Sequence, residues 1–259
     1  MRRPRFSLAL AVAALALAAP QVAVAATWNE RTTAAVRFVQ SRAGVESFAL
    51  VDDRGRLHGY RVRMRAPSAS LLKAVLLVAY LNRASVRGRA LTDADRRLLR
   101  PMIRWSDNAT AGAVLSIVGS HGMYRLAERA GMLDFTLQWP IWGNSTTSAR
   151  DQAWFFYRID RLVPRRHRGY ALALLASIVP SQRWGIAQAR PANWTIHFKG
   201  GWGSGTGLVT HQSALLRKGS LRIALSVLTR WNPSHVYGTQ TIRGVAARLF
   251  RTPIPLAPE

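Results

Sequence analysis

The stretch "SASLLKAVLLVAYLN", residues 68–82, places one lysine, Lys73, in a run of small and apolar residues. The apolar residues of this run cover nearly the whole circumference of a helix, which predicts a helix buried in the middle of the molecule. Only three of the 37 lysine and arginine residues in the chain are lysines, at positions 73, 199 and 218. The lysine at position 73 therefore points to a property that an arginine would not supply.

Ser70 and Lys73 are three residues apart, so a helix would bring the hydroxyl and the amine onto one face. Burial penalises a charged ammonium group, and a neutral amine beside a serine hydroxyl is a general base. An arginine cannot take this role because its guanidinium group keeps its proton in proteins. Pro67 and Ser68 resemble a helix start, which predicts Ser70 in the first turn, where free backbone N–H groups can face an oxyanion. The motif alone also fits a lysine whose amine reaches solvent.

Two more polar triplets follow along the chain. The S-D-N triplet at 106–108 stands at the opening of a helical pattern, within "IRWSDNATAGAVL" (103–115). The K-G-G triplet at 199–201 stands at the end of a strand-like run, within "FKGGWGSGTG" (198–207). A second of the three lysines therefore also falls in a recognisable triplet.

Strand-like runs lie towards both ends of the chain, and helical patterns lie between them. The segment "ESFALVDDRGRLHGYRVRM" (46–64) predicts a hairpin, and three strand-like runs separated by glycines follow Pro191. Amphipathic patterns at 29–44 and 237–250 predict one helix near each end. The pattern predicts an α/β (α+β) protein with one sheet built from both termini and a helical lobe inserted in the middle.

These three motifs, S-x-x-K at 70–73, S-D-N at 106–108 and K-G-G at 199–201, resemble a known signature. It is the ordered set S-x-x-K, S-D-N and K-T-G of the class A β-lactamases and the related penicillin-binding D,D-peptidases. The helical stretch at 106–132 and "STTSARDQAWFF" (145–156) are also similar to that superfamily, so the resemblance covers essentially the whole mature chain. It implies a β-lactamase/transpeptidase-like two-lobed fold, with a mostly antiparallel five-stranded sheet, flanking helices and an inserted all-helical lobe. We expect a single catalytic domain at 26–259, with the helical lobe at roughly 67–191.

The resemblance implies a catalytic role for four residues. Ser70 would be the nucleophile that forms an acyl-enzyme, and Lys73 would accept its proton. Ser106 would relay a proton to the leaving nitrogen, because amide cleavage needs an acid there. Lys199 would supply positive charge near Ser106 and the substrate carboxylate. These roles imply a metal-independent serine hydrolase that needs no cofactor.

Four further residues are implied in substrate binding, namely Asn108, Gly201, Trp202 and Ser204. Asn108 would hold the amide carbonyl of the substrate and help to fix the lysine base. The backbone N–H groups of the nucleophile and of Trp202 would form the oxyanion hole. Gly200 stands where the family usually has a hydroxyl residue that binds the substrate carboxylate. Trp202, Ser204 or Thr206 would have to compensate for that missing hydroxyl.

The loop "MLDFTLQWPIWGN" (132–144) departs from the family pattern in a way that bears on turnover. Class A enzymes carry in this loop the glutamate that activates the deacylating water, and no glutamate is present here. Asp134 is the one acid within the loop. Without a water activator, the acyl-enzyme should form and then persist.

The first 26 residues have the layout of an export signal. Three arginines precede an apolar run at 8–19, and the small residues that follow predict cleavage after Ala25. This run is too short to span a bilayer, and nothing later in the sequence reaches a spanning length. We therefore expect an exported protein, either secreted or held in the cell envelope or periplasm, without a transmembrane segment.

The chain of 259 residues has a formal net charge of +25 and no cysteine. The missing cysteines exclude a disulfide framework and thiolate metal sites. So strong a positive charge implies attraction to polyanions, and for an exported protein the anionic cell envelope is the expected partner. The sequence has no zinc-finger spacing, aromatic RNA-binding motif or heptad-plus-basic region, so we do not expect nucleic acid. A solvated arginine-rich surface without a partner accounts for the charge equally well.

Three functions remain open from the sequence. The first is a monomeric β-lactamase-like hydrolase that opens a β-lactam, or another small amide or ester, through acyl-Ser70. The second is a D,D-peptidase or esterase that acts on D-Ala-D-Ala-like cell-wall peptides, which the missing loop glutamate favours. The third is a non-catalytic cationic envelope-binding protein, against which the lysines kept at both motif positions argue. A Ser-His-Asp hydrolase lacks support because the sequence has no G-x-S-x-G elbow, and the six histidines form no metal-binding helix pattern.

Overall fold

Strands lie towards the two ends of the chain, and most of the helices lie between them. The computed structural model describes residues 26–255, and the predicted export signal at 1–25 lies outside the described residues. The helices are α1 (Trp28–Gln40), α2 (Leu72–Leu81), α3 (Ala84–Arg87), α4 (Asp93–Arg104), α5 (Asn108–Ala130), α6 (Ala149–Leu162), α7 (Arg168–Ala176), α8 (Ile186–Ala189) and α9 (His235–Leu249). The strands are β1 (Val45–Val51), β2 (Leu57–Tyr60), β3 (Ala66–Pro67), β4 (Thr146–Thr147), β5 (Thr195–Gly203), β6 (Val209–Lys218) and β7 (Leu221–Arg230).

Five of the strands form one antiparallel sheet in the order β2-β1-β7-β6-β5. The predicted hairpin at 46–64 is present as β1 and β2, and Asp52 closes its turn by accepting hydrogen bonds from the backbone N–H groups of Arg54 and Arg56. Strand β1 pairs with β7, so the sheet is built from both ends of the chain, as the sequence predicts. A second, two-stranded sheet joins β3 to β4.

Both faces of the large sheet are covered, which explains why six of the seven residues of β1 are buried. Phe48 and Leu50 belong to the main core, together with residues of α1 and α9. Ala49 and Val51 belong to a smaller core formed with the first residues of α6. Because successive side chains of a strand point to opposite faces, the two cores lie on opposite sides of the sheet.

Helix α2 is the centre of the molecule, and all ten of its residues are buried. It packs against α5, α4, α3 and α7, and the Ala69–Leu71 turn precedes it. The uniform apolar character of the 68–82 stretch predicts this burial correctly. Because the surrounding helices shield the helix on all sides, the only charged residue in it, Lys73, is carried into the interior.

The start of α2 differs from the predicted one. Pro67 pairs with Thr146 in the two-stranded sheet, and the next residues form a 3₁₀ turn at Ala69–Leu71. The α-helix begins only at Leu72. Ser70 therefore lies in a 3₁₀ turn between strand β3 and helix α2. The sequence predicts it one turn later, in the first turn of the helix itself.

Candidate active site

The turn that carries Ser70 is held from both sides. Ser68 donates its backbone N–H to the carbonyl of Ser145, and Leu71 donates its own to the carbonyl of Ser68. Ala69 has a φ of 44°, in the left-handed region that non-glycine residues rarely adopt. Such conformations persist only where the surrounding structure imposes them, and they concentrate at functional sites.

Strand β5 lies directly against this turn through Gly201. A Cβ atom on Gly201 would lie 2.9 Å from the backbone nitrogen of Ser70 and 3.0 Å from that of Leu71. Only glycine allows two backbone segments to approach this closely. The contact brings the next residue, Trp202, to the same cavity as Ser70, where the sequence predicts its backbone N–H group to serve an oxyanion.

The hydroxyl of Ser106 joins the two buried lysines. Lys73 Nζ donates hydrogen bonds to Asn108 Oδ1 (2.7 Å) and to Ser106 Oγ (3.1 Å), and it also donates to the Ser106 carbonyl. Lys199 Nζ donates to Ser106 Oγ (3.0 Å) and to the Gly200 carbonyl (2.9 Å). Residues of three triplets that are far apart in the sequence thus form one hydrogen-bonded cluster.

Burial changes the acid-base behaviour of both lysines. Lys73 and Lys199 are each 0% exposed, which excludes the alternative in which the Lys73 amine reaches solvent. Burial lowers the pKa of Lys73 to about 7, and the negative charge of Asp107 opposes this shift. Burial, and then repulsion by the Lys73 ammonium, lower the pKa of Lys199 well below its ordinary value. A substantial fraction of Lys73 is therefore a neutral amine near pH 7, the form that accepts a proton.

The loop between α4 and α5 sets the position of Ser106. Ser106 has a φ of 60°, in the left-handed region, as does Ala69 next to Ser70. Asp107 then caps α5 by accepting hydrogen bonds from the backbone N–H and the hydroxyl of Thr110, both at 2.7 Å. Asn108 is the first residue of α5, so the cap that starts the helix also aims its amide at Lys73.

Ser70, Ser106, Asn108 and Trp202 line one cavity of about 400 Å³, which we call the Ser70 cavity. Its opposite wall is the loop at 140–143. Ser204 lines a neighbouring cavity instead, although the sequence predicts it beside the nucleophile. Within residues 26–255, the hydrogen bonds of Lys73 go to Ser106 and Asn108, and none of them reaches Ser70. The predicted Ser70–Lys73 pair therefore shares a site without a direct hydrogen bond.

Asp134 of the 132–144 loop and Asp151 of α6 hold the loop in place and do not line the Ser70 cavity. Asp134 is 3% exposed, accepts a hydrogen bond from the Ser148 hydroxyl (2.9 Å) and pairs with Arg63 (3.1 Å). Asp151 is fully buried and accepts hydrogen bonds from the backbone N–H groups of Leu133 and Asp134. Asp134 is thus occupied in a structural ion pair, and the loop presents apolar residues such as Ile141 to the cavity.

His211 is a supporting residue that the sequence does not reveal. Its Nε2–H donates to the carbonyl of Pro67 (2.9 Å), three residues before Ser70, while its Nδ1 accepts from the backbone N–H of Thr229 (3.0 Å). Burial lowers its pKa to about 4, so the ring is neutral at pH 7. A histidine in a buried strand shows in the sequence, but its partner, 144 residues away, does not.

Two further findings concern the described part of the chain as a whole. No group of three or more histidine, cysteine, aspartate or glutamate side chains in it has an arrangement that could hold a metal ion. Within residues 26–255, no helix combines the length and the apolar character needed to cross a membrane.

Solved structures with this fold include β-lactamases and a penicillin-binding protein. The β-lactamase from Sphaerobacter thermophilus DSM 20745 is 18% identical, with a TM-score of 0.75 over 86% of this chain and 96% of that chain. The β-lactamase from Desulfarculus baarsii DSM 2075 is 20% identical, with a TM-score of 0.71 over 86% and 98% of the two chains. PBP-A is 17% identical, with a TM-score of 0.71 over 86% and 95%. At these identities the likeness establishes the fold alone.

The sequence itself carries the family relationship. No curated protein matches it significantly. Residues 95–252, more than half of the chain, match the beta-lactamase enzyme family. This span includes Ser106 and Lys199, and the hydrogen bonds of Lys73 tie the preceding Ser70–Lys73 segment to it. The chain therefore belongs to the beta-lactamase enzyme family.

Proposed function

We propose that this protein is a serine hydrolase of the β-lactamase type, in which Ser70 attacks the carbonyl carbon of a β-lactam or a related strained amide or ester. The observation that carries the proposal is the Ser106 hydroxyl, hydrogen-bonded to two fully buried lysines in the cavity that also holds Ser70. A buried amine with a pKa of about 7 is a base matched to neutral pH. Two fully buried lysines at motif positions, in a chain with only one other lysine, argue against a purely structural role.

The net effect of acylation in this scheme is to move one proton from Ser70 to the leaving nitrogen, by way of Lys73 and Ser106. In this step Lys73 Nζ must exchange one of its contacts to Ser106 or Asn108 for Ser70 Oγ. Neutral Lys73 then takes the proton of Ser70 as Ser70 Oγ forms a bond to the carbonyl carbon. The carbonyl electron pair moves onto the oxygen, which the backbone N–H groups of Ser70 and Trp202 stabilise. The C–N bond then breaks, and the leaving nitrogen receives a proton from the Ser106 hydroxyl, which Lys73 reprotonates. The products are an ester on Ser70, an amine, and Lys73 restored to its neutral form.

Hydrolysis of this ester needs a water molecule that loses a proton as it attacks. Asp134, the acid of the 132–144 loop, is held by Arg63 and Ser148, and the loop residues at the cavity are apolar. This observation favours a slow second step, as in a penicillin-binding D,D-peptidase or an esterase on cell-wall peptides. We keep that activity as the second candidate function.

Export completes the proposal, with a signal at 1–25 and a monomeric mature protein that meets its substrate outside the cytoplasm. Helix α1 is compatible with cleavage after Ala25, because its N-cap Thr27 and the capping-box partner Glu30 both follow the cut. Arg31 also donates a hydrogen bond to the Ala26 carbonyl (2.8 Å), so a chain that begins at Ala26 keeps this contact.

The test is intact-mass spectrometry of the mature protein mixed with benzylpenicillin or a chromogenic cephalosporin, following adduct and hydrolysed product over time. We expect one adduct per chain, located at Ser70 by peptide mapping. Steady product with little adduct identifies a working β-lactamase, whereas a long-lived adduct identifies the peptidase or esterase alternative.

Two variants and a control make this test specific. Ser70→Ala should abolish the adduct, and Lys73→Arg should slow its formation by roughly a hundredfold or more, because general-base assistance contributes about that much. Ser116→Ala removes an exposed hydroxyl from the outer face of α5 and should label like the wild type. An adduct that survives Ser70→Ala would refute the proposed function.

A further inference from the structure

Trp184 fills the space beside Gly200, the middle residue of the K-G-G triplet. A Cβ atom at Gly200 would lie 2.9 Å from both the Cζ2 and the Cη2 atoms of the Trp184 ring. A hydroxyl side chain at this position would therefore collide with the indole. The Trp184 indole therefore occupies the space that a hydroxyl side chain at position 200 would need.

Trp184 belongs to a cluster of three rings that ends at the Ser70 cavity. Its ring centroid lies 6.2 Å from that of Trp202 at an interplanar angle of 78° and 5.3 Å from that of His235 at 84°. Trp202 and His235 are 5.6 Å apart. The two pairs that include Trp184 are edge-to-face, a favourable geometry for aromatic rings, whereas the Trp202–His235 pair is tilted by 39°. Burial lowers the pKa of His235, which favours the neutral form of this ring.

Behind Trp202 lies a second cavity of about 290 Å³, which we call the side cavity. Trp202 lines both cavities, so the side cavity adjoins the Ser70 cavity at this residue. Most of the surface of the side cavity is apolar, and Leu208 and Val209 contribute to it with His235. Among the described residues that line the two cavities, none is an arginine, lysine, aspartate or glutamate.

From these contacts we propose that the side cavity is a specificity subsite that takes an uncharged apolar group of the acyl substrate, of about the size of a benzyl ring. This inference rests on the proposed function, because it concerns the molecule that acylates Ser70. An aromatic group gains apolar burial there, whereas a free carboxylate would lose its hydration without finding a guanidinium or ammonium partner. The structure therefore favours an ester or amide over a free acid on this side of the scissile bond.

The test compares two acyl donors that differ only in this group, benzylpenicillin and its benzyl ester. Intact-mass spectrometry gives the second-order rate constant for adduct formation at Ser70 with each compound. We expect the ester to react about tenfold faster or more, the factor that burial of one apolar group supplies. Equal rates, or a faster free acid, would overturn the inference and leave the proposed function standing.

A charge-introducing variant tests the location of the subsite. Leu208 lines the side cavity and is 47% exposed, so Leu208→Arg should fold and should shift the ratio of the two rates by about tenfold towards the free acid. Leu133→Arg is the matched control, because Leu133 is 61% exposed and lines neither cavity. An equal shift in both variants would show a general charge effect and overturn the assignment. If a fluorophosphonate labels Ser70 but neither penicillin does, the β-lactamase activity and this inference both fail, and an esterase remains.

Discussion

The buried amine of Lys73 donates hydrogen bonds to three acceptors, two on Ser106 and one on Asn108. Its surroundings determine whether it is a protonated donor or a neutral base. Burial lowers its pKa to about 7, while Asp107 counteracts part of the shift. The lysine is thus balanced between its two protonation states near neutral pH. An arginine at the same place would remain a cation and would require full pairing in the interior.

The acylation rate should follow the neutral fraction of Lys73. Below pH 7 the amine is mostly protonated, so the rate of adduct formation with benzylpenicillin should rise about tenfold per pH unit. Above about pH 7 the amine is mostly neutral, and the rate should level off. Quenched time courses measured by intact-mass spectrometry between pH 5 and 9 check this profile. A base other than Lys73 would place the midpoint of the profile at a different pH.

Asp107→Asn gives the profile a residue-specific signature. The substitution removes the negative charge that raises the pKa of Lys73, so the midpoint of the profile should move to lower pH. Asparagine is also a good N-cap, so α5 should keep its start and the melting temperature should change little. A midpoint that stays in place would indicate that Lys73 is not the titrating base.

At the scale of single residues, the sequence predicts the burial of Lys73 well and the turn at Ser70 less well. Burial follows from a local pattern, the apolar circumference of residues 68–82. The φ of 44° at Ala69 has no local signal, because tertiary contacts impose it. The same holds for Trp184 and His235, whose role depends on which residues the fold brings beside Gly200.

Strand β5 and the Ala69–Leu71 turn form the contact between elements on which the site depends. The sequence predicts the strand, its glycines and the turn region separately, but not that the backbone of Gly201 touches that of Ser70. This contact also orders the site, since it sets where Trp202 stands relative to Ser70. Backbone atoms line the contact on both sides, so neither side can yield by moving a flexible side chain.

Gly201→Ala should therefore damage the site severely. Its Cβ atom would approach two backbone nitrogens to 3.0 Å or less, which must displace either β5 or the nucleophile turn. We expect acylation to fall by at least about a hundredfold and the unfolding free energy to drop by about 1–3 kcal/mol, a typical cost of overpacking. Stopped-time labelling and thermal unfolding measure the two effects.

Gly205→Ala is the matched control, four residues further along, in the connection between β5 and β6. A Cβ atom there would meet nothing within 4 Å, so labelling and stability should stay close to those of the wild type. If both alanine variants label normally, the close approach of β5 to the turn is not required for acylation.

At the scale of the whole molecule, charge is the property that the fold leaves unexplained. The 12 acidic residues of the chain cannot neutralise its 37 lysines and arginines. Three arginines, at 96, 100 and 104, follow one face of α4 and line a groove with Tyr170. Residues four apart on a helix share a face, so their charges act together on any anionic surface that approaches.

The mature protein should therefore bind vesicles that contain phosphatidylglycerol and ignore vesicles of phosphatidylcholine alone, with the bound fraction lost as salt is raised. Replacing the three α4 arginines by glutamine should weaken binding by roughly a hundredfold, since each basic residue at an anionic surface contributes about 1 kcal/mol. A control triple of exposed arginines on α1 and α9, at 37, 243 and 248, removes the same charge from another part of the surface. Vesicle co-sedimentation measures both variants. Equal losses would assign binding to net charge, whereas a larger loss in the α4 variant would assign it to the groove.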